Sequence, residues 1–256
     1  MNTAFLLGNG FDLNLGLKTS YRDFYKYYCE LGSVESAVAK FKGMLSENFD
    51  NWSDLEVELG KYSRFFNKDN ENQFVKLLYD IQDNLADYLD KQDTSFNVSD
   101  VDKMKAYDGL TKFENFFTPR ERQEYYAHKR FYSGKINNIN IISFNYTKTF
   151  EKIYDWKGKS IALGNSSDGI NSYINNLASF EHIHGTTDLN MIMGVNDATQ
   201  IANDELRRSL HTVRSIVKTE MNVNAGTLRD NRCRDYISQA DVVCIYGMSM
   251  GETDSV

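Results

Sequence analysis

Thr3-Ala4-Phe5-Leu6-Leu7, followed at once by Gly8-Asn9-Gly10-Phe11-Asp12, is the stretch on which the fold turns. A short apolar run that breaks into a glycine loop reads as a buried strand leaving a sheet. Glycines, lacking a Cβ, let backbone N–H groups come close to a ligand. Phosphate is the usual guest of such a loop. Two glycines one residue apart also make a plain tight turn, and the pair by itself favours that reading.

The pattern gains weight by recurring. Ile139-Asn140-Ile141-Ile142-Ser143-Phe144 runs into Asn145-Tyr146-Thr147, and the short Glu181-His182-Ile183 runs into His184-Gly185-Thr186. Met191-Ile192-Met193 runs into Gly194-Val195-Asn196-Asp197, and Val242-Val243-Cys244-Ile245-Tyr246 into Gly247-Met248-Ser249. Polar chemistry thus sits at each strand exit. In an open parallel α/β sheet, ligands bind outside the carboxyl ends of the strands, where distant segments converge.

Between the first strand and the others, residues 21–132 change to helical periodicity. Tyr21, Phe24, Tyr25 and Tyr28 follow i, i+3, i+4, i+7, and Phe74, Leu77, Leu78, Ile81, Leu85, Tyr88 and Leu89 continue the rule over a longer span. Ser53-Asp54-Leu55-Glu56 and Thr118-Pro119-Arg120-Glu121 read as capping boxes, the second with the only proline of the chain at the first helical position. Residues 93–108 are polar and weakly patterned, which predicts a long loop. Further helices are expected over 148–154, 204–221 and 227–239. The expected fold is a single α/β domain over residues 1–256, with a Rossmann-like, mostly parallel sheet flanked by helices. Residues 21–132 form a large helical insertion subdomain after the first strand.

A chain of 256 residues with 41% hydrophobic and 25% charged residues has the composition of an ordinary soluble globular protein. No apolar stretch approaches the ~18–20 residues of a membrane span, and the N-terminus lacks a basic n-region and cleavage site, so no membrane association and a cytoplasmic location are expected. Cys29, Cys233 and Cys244 are too widely spaced for a disulfide framework or a paired zinc module. A net charge of −7 opposes broad nucleic-acid binding. Arg207, Arg208, Arg214, Lys218, Arg229, Arg232 and Arg234 form a basic stretch, read first as solvated helix faces and second as a phosphate- or partner-binding patch.

These motifs, taken in order with Leu17-Lys18-Thr19-Ser20-Tyr21, Trp52-Ser53-Asp54-Leu55-Glu56, His182-Ile183-His184-Gly185 and Gly247-Met248-Ser249-Met250-Gly251-Glu252-Thr253-Asp254, resemble the bacterial abortive-infection AbiH family over nearly the whole chain. That family in turn resembles a divergent branch of the sirtuin-like, NAD-handling proteins. The resemblance implies a phage-defence protein whose ligand is NAD or a related nucleotide, cleaved to nicotinamide and ADP-ribose. It implies that Gly8, Asn9 and Gly10 cradle the diphosphate, that Asn145 positions water or the nicotinamide amide, and that His184 handles a proton on the ribose. Asp12, Thr147, Ser249 and Asp254 complete the implied binding set. A small nucleotide is the expected partner, with a homo-oligomer or a defence partner protein left open. In the family, the pattern continues past Asp254 into another helix, whereas this chain ends at Val256.

Two departures stand out. Thr147 occupies the place of the aspartate in the sirtuin-like Asn-Tyr-Asp, and Asp12 stands where those loops often have serine, next to the implied diphosphate. The four-cysteine zinc ribbon of protein deacetylases is missing, so no zinc is expected and free nucleotide is a better candidate than acylated lysine.

Each residue also has a plainer role. His184 can be a core histidine bonded to backbone, Asn145 can close a turn, Ser249 and Asp254 can cap a helix, and Glu56 can belong to its capping box. His182, two residues before His184, should face the other side of an extended segment. Three functions follow: an NAD hydrolase, a non-catalytic nucleotide sensor, and a metal-dependent phosphohydrolase or nuclease built on Asp12 and Asp254, with Glu56 or His184 as a further ligand.

Overall fold

The computed structural model describes residues 1–33, 35–47, 54–167 and 170–248. Five strands, β1 (Asn2–Leu7), β2 (Ile136–Ser143), β3 (Ile161–Ser167), β4 (Ser172–His182) and β5 (Val242–Tyr246), form one sheet in the order β3-β4-β2-β1-β5. β1 runs parallel to β2 and β5, and β2 runs parallel to β4, whereas β3 is antiparallel to β4. The sheet is therefore mixed where a mostly parallel, Rossmann-like one was expected. The correction comes from the β3–β4 hairpin, which adds an antiparallel edge.

Polar residues hid that hairpin. On one level of the sheet Thr3 donates to Asn137 at 3.1 Å, Asn137 to Asn175 at 3.1 Å, and Asn175 to Ser166 at 3.1 Å, so a ladder of side-chain bonds crosses four strands. Thr3, Asn137 and Asn175 are buried, and a satisfied polar network of this kind replaces the apolar alternation that usually marks a strand. Glu181 and His182 of the expected short strand Glu181-His182-Ile183 are thus the last two residues of the eleven-residue β4, and Ile183 lies just beyond it. Met191-Ile192-Met193 forms no strand. Its neighbour Val195 makes only an isolated parallel bridge to Val217.

The helices are α1 (Gly10–Asn14), α2 (Tyr21–Glu30), α3 (Ser36–Glu47), α4 (Leu55–Tyr62), α5 (Glu71–Ser95), α6 (Asp100–Thr111), α7 (Pro119–Lys129) and α8 (Thr149–Tyr154) before β3. α9 (Asp204–Arg207), α10 (Leu210–Ile216), α11 (Lys218–Asn224) and α12 (Arg229–Ser238) follow β4. Residues 93–108, expected as a loop, instead hold the end of α5 and most of α6. α6 buries only Ala106, Leu110 and Thr111, too few for a clear periodicity, and its start is set by a reciprocal Ser99–Asp102 capping box. The Thr118–Glu121 box with Pro119 opens α7. At α4 the cap is Asp54, which accepts from the N–H groups of Glu56 and Val57; Ser53, expected in that role, lies outside the described residues, as does Trp52.

Alternation along the strands divides the core. Phe5, Leu7, Ile139 and Ile141 pack on one face with Ala106, Leu110, Phe113, Tyr125, Phe150 and Ile153. Leu6 and Ile142 pack on the other with Phe144, Ile183 and Cys233 of α12. A separate cluster joins α2, α3, α4 and α5 to Met191, Met193, Val195, Ile216 and Val217. The helices of 21–132 therefore serve two bodies of core, with α6 and α7 covering the sheet and α2–α5 standing beyond its end. No helix among the described residues is long and apolar enough to cross a membrane.

Candidate functional site

The carboxyl ends of the parallel strands are in register. Leu7 pairs with Ser143 and Tyr246, and Ser143 pairs with His182, so the four following loops leave the sheet side by side. Outside them, between the sheet and the α2–α5 layer, lies a cavity of about 460 Å³ lined by residues from all four loops and from α4, α5 and α11. A cleft of this size at a strand edge is a usual small-molecule site.

The glycine loop is shaped by its neighbour. A Cβ on Gly8 would lie 2.4 Å from the Met248 Cβ, and one on Gly10 would lie 2.5 Å from the Gly247 Cα, so both positions need glycine for the loop after β5 to pack there. The Gly8 N–H donates to Tyr246 O at 2.9 Å and the Gly10 N–H to Gly247 O at 2.7 Å, leaving neither for a phosphate. Asn9 is also engaged, since its amide donates to Thr19 O at 3.0 Å and accepts from the Thr19 hydroxyl.

Asp12 follows in α1 and is 1% exposed. Thr147 Oγ1 donates to its Oδ2 at 2.5 Å, and Oδ1 has no partner among the described residues. Asp12 and Thr147, the two positions at which the sequence departs from the sirtuin-like pattern, are thus in direct contact. Burial raises the Asp12 pKa to about 6, against the pull of the Thr147 and Thr149 hydroxyls; Asp93 adds to the rise and His182 lowers it.

His184 is buried and lines the cavity, and neither ring nitrogen has a partner among the described residues. Its backbone is fixed by the bond from Ile192 N to His184 O at 2.8 Å. Gly185, at φ +73°, would put a Cβ 2.0 Å from Asn190 O, which is why glycine follows the histidine. The ring meets Phe144 edge-on at 5.5 Å. Burial, with the charges of Lys218 and Arg229, holds the His184 pKa well below that of an ordinary histidine, so the imidazole is neutral. A buried imidazole lacking both bonds is costly unless a ligand or water supplies them.

His182 lies outside this cavity. Its Nδ1 faces Asn145 O at 2.8 Å and its Nε2 faces Glu151 Oε1 at 2.7 Å. It braces the loop that carries Asn145, whose backbone N–H also donates to Ser143 Oγ at 3.2 Å. Asn145 and Thr147 line the cavity. Ser249 and Asp254 lie outside the described residues.

Sequence reasoning missed the far wall. Glu56 of α4 and Lys218 of α11 are both buried and form an ion pair at 2.8 Å across 162 positions of sequence. Glu56 also accepts from Tyr146 OH at 3.1 Å and Gly194 N at 3.2 Å. Burial raises the Glu56 pKa, and Lys218 pulls part of the way back. The signals were present separately, Glu56 in the quoted Trp52–Glu56 motif and Lys218 in the basic stretch, but nothing local pairs them. His184 and Lys218 also line a second cavity of about 200 Å³ behind this wall. Elsewhere in the basic stretch, Arg232 meets Glu181 at 2.6 Å and Arg229 meets it at 3.8 Å. Among the described residues, no group of three His, Cys, Asp or Glu side chains is placed to hold a metal.

Sheet, cavity and buried titratable pair define an α/β protein with a cavity at its strand ends. The family model of bacteriophage abortive infection AbiH proteins matches residues 4–256, and the chain belongs to that family. Membership gives it a role in abortive infection, a phage-defence response. No curated protein matches the chain.

Proposed function

We propose that the chain acts in phage defence as a sirtuin-like hydrolase that binds NAD, or a related nucleotide, and cleaves the nicotinamide–ribose bond. One observation carries this reading: Asp12 and His184, two buried titratable groups with polar atoms that have no partner among the described residues, border one cavity at the carboxyl ends of β1 and β4. In the reaction, the C1′–N bond breaks and its electron pair goes to the ring nitrogen, cancelling the pyridinium charge. Water oxygen bonds to C1′ and gives up a proton, yielding nicotinamide and ADP-ribose. Asn145 orients the water or the carboxamide. Neutral His184 accepts a hydrogen bond from a ribose hydroxyl and takes part in moving the proton; groups of this kind contribute about 10²–10⁴-fold.

A non-catalytic sensor is the second reading, favoured by Thr147 in place of the expected aspartate. The metal-dependent reading is weaker, because Glu56 is engaged by Lys218. Purified chain incubated with NAD should release nicotinamide, measured by chromatography, and should bind NAD by calorimetry. Binding without release supports the sensor, and absence of both defeats the proposal.

A further inference from the structure

We propose that this cavity takes the cationic nicotinamide–riboside end of its ligand without a diphosphate, and that Asp12 is the anion that selects it, so that the substrate class is cationic N-ribosides whether or not they are phosphorylated. The inference rests on the hydrolase reading and goes further by assigning which part of the ligand lies inside.

An anionic diphosphate needs free N–H groups or cations. The N–H groups of Gly8 and Gly10 are bonded to Tyr246 O and Gly247 O, and the side-chain amide of Asn9 is held by Thr19, so of this loop's N–H groups only the backbone N–H of Asn9 is left, a single donor for two phosphates. The ammonium of Lys218 is closed onto Glu56, and that pair cancels. Among the described residues, the charge that remains on the cavity wall is acidic, namely the carboxyl groups of Asp12 and Asp54. Asp54 is committed to capping α4, whereas Asp12 keeps one oxygen unpartnered. A diphosphate placed here meets like charge in a partly dry setting, where repulsion is stronger than in water.

A pyridinium riboside meets the opposite. Its ring carries a positive charge, the aromatic rings of Tyr21, Phe144 and Tyr146 line the same cavity, and a cation over an aromatic face is attracted. Its ribose hydroxyls are donors for Asp12 Oδ1 and partners for the imidazole of His184. As the C1′–N bond lengthens, positive charge moves onto the ribosyl carbon, and a fixed nearby carboxylate stabilises that charge without reorganising. Asp12 is in this sense a catalytic residue, and Thr147 is a positioning residue that holds it.

The test uses the whole chain with four compounds: NAD, nicotinamide riboside, its uncharged dihydro form, and ADP-ribose. Nicotinamide riboside should be cleaved with kcat/KM within about tenfold of NAD. The dihydro form and ADP-ribose should compete for nicotinamide riboside at least tenfold more weakly than NAD does. D12N should lose about 10²-fold in kcat/KM on both cationic substrates, while its melting temperature at pH 7 does not fall. Cleavage of NAD without cleavage of nicotinamide riboside, tight competition by ADP-ribose, or full activity in D12N would overturn the inference and leave the hydrolase standing. Failure to cleave either cationic compound would overturn both.

Discussion

Replacing Asp12 by asparagine should make the protein more stable at neutral pH while removing its activity. The carboxyl has a pKa of about 6 in the fold against 3.8 ordinarily. Two units at 1.36 kcal/mol each give about 3 kcal/mol. The sign follows from proton counting: between pH 3.8 and 6 the folded state holds a proton that the unfolded state has released, so stability falls as pH rises through that window. The full penalty is present above pH 6 and is absent well below 3.8. Asparagine resembles the neutral carboxyl in shape and carries no charge, so D12N escapes the penalty. Urea unfolding followed by circular dichroism should show it about 3 kcal/mol more stable than wild type at pH 7, roughly 6–12 °C in Tm for a chain of this size. The gain should shrink to under about 1 kcal/mol at pH 4. A variant less stable at pH 7, or a difference independent of pH, would refute the claim that Asp12 is a destabilising charge kept for function.

Other substitutions test the remaining walls of the site. Removing one partner of the buried Glu56–Lys218 pair in K218M should cost about 3–5 kcal/mol, and the double variant E56Q/K218M should recover much of that loss in the same unfolding assay. G10A should displace the loop after β5 and cost about 1–3 kcal/mol, because its Cβ would meet Gly247 at 2.5 Å; no loss would mean that the two loops are not locked together. H182A should act through stability, losing roughly 1–3 kcal/mol with the bonds to Asn145 and Glu151, and should retain nicotinamide release when assayed below its melting temperature. Activity should fall as pH drops through about 6, where Asp12 takes up its proton, and D12N should lose that acid limb along with most of its rate.

Much of this arrangement was legible because each element carried its own local signal. Phe5, Leu7, Ile139 and Ile141 alternate inward, the glycines mark strand exits, and the α5 periodicity from Phe74 to Leu89 is unambiguous. What stayed hidden was cooperative. Asn175 and Asn137 satisfy each other across β4 and β2, so a buried strand looks polar, and no single residue of the hairpin reports its partner. α6 also stayed hidden, because its apolar face is too sparse to show a periodicity and its start is set by the Ser99–Asp102 capping box. In the site, Gly8 and Gly10 are glycines for a reason the sequence cannot show, the approach of Gly247 and Met248 from the far end of the chain. Asp12 and Thr147 look like two separate departures until the fold brings them to 2.5 Å.

Nicotinamide release from NAD by the wild-type chain and by H184A, measured side by side with their melting curves, tests the central claim most directly. The site described here predicts release by wild type and a loss of about 10²–10⁴-fold in an H184A protein that still melts cooperatively. Equal release by folded H184A would contradict it, because the unpartnered imidazole in the cavity would then have no part in the chemistry.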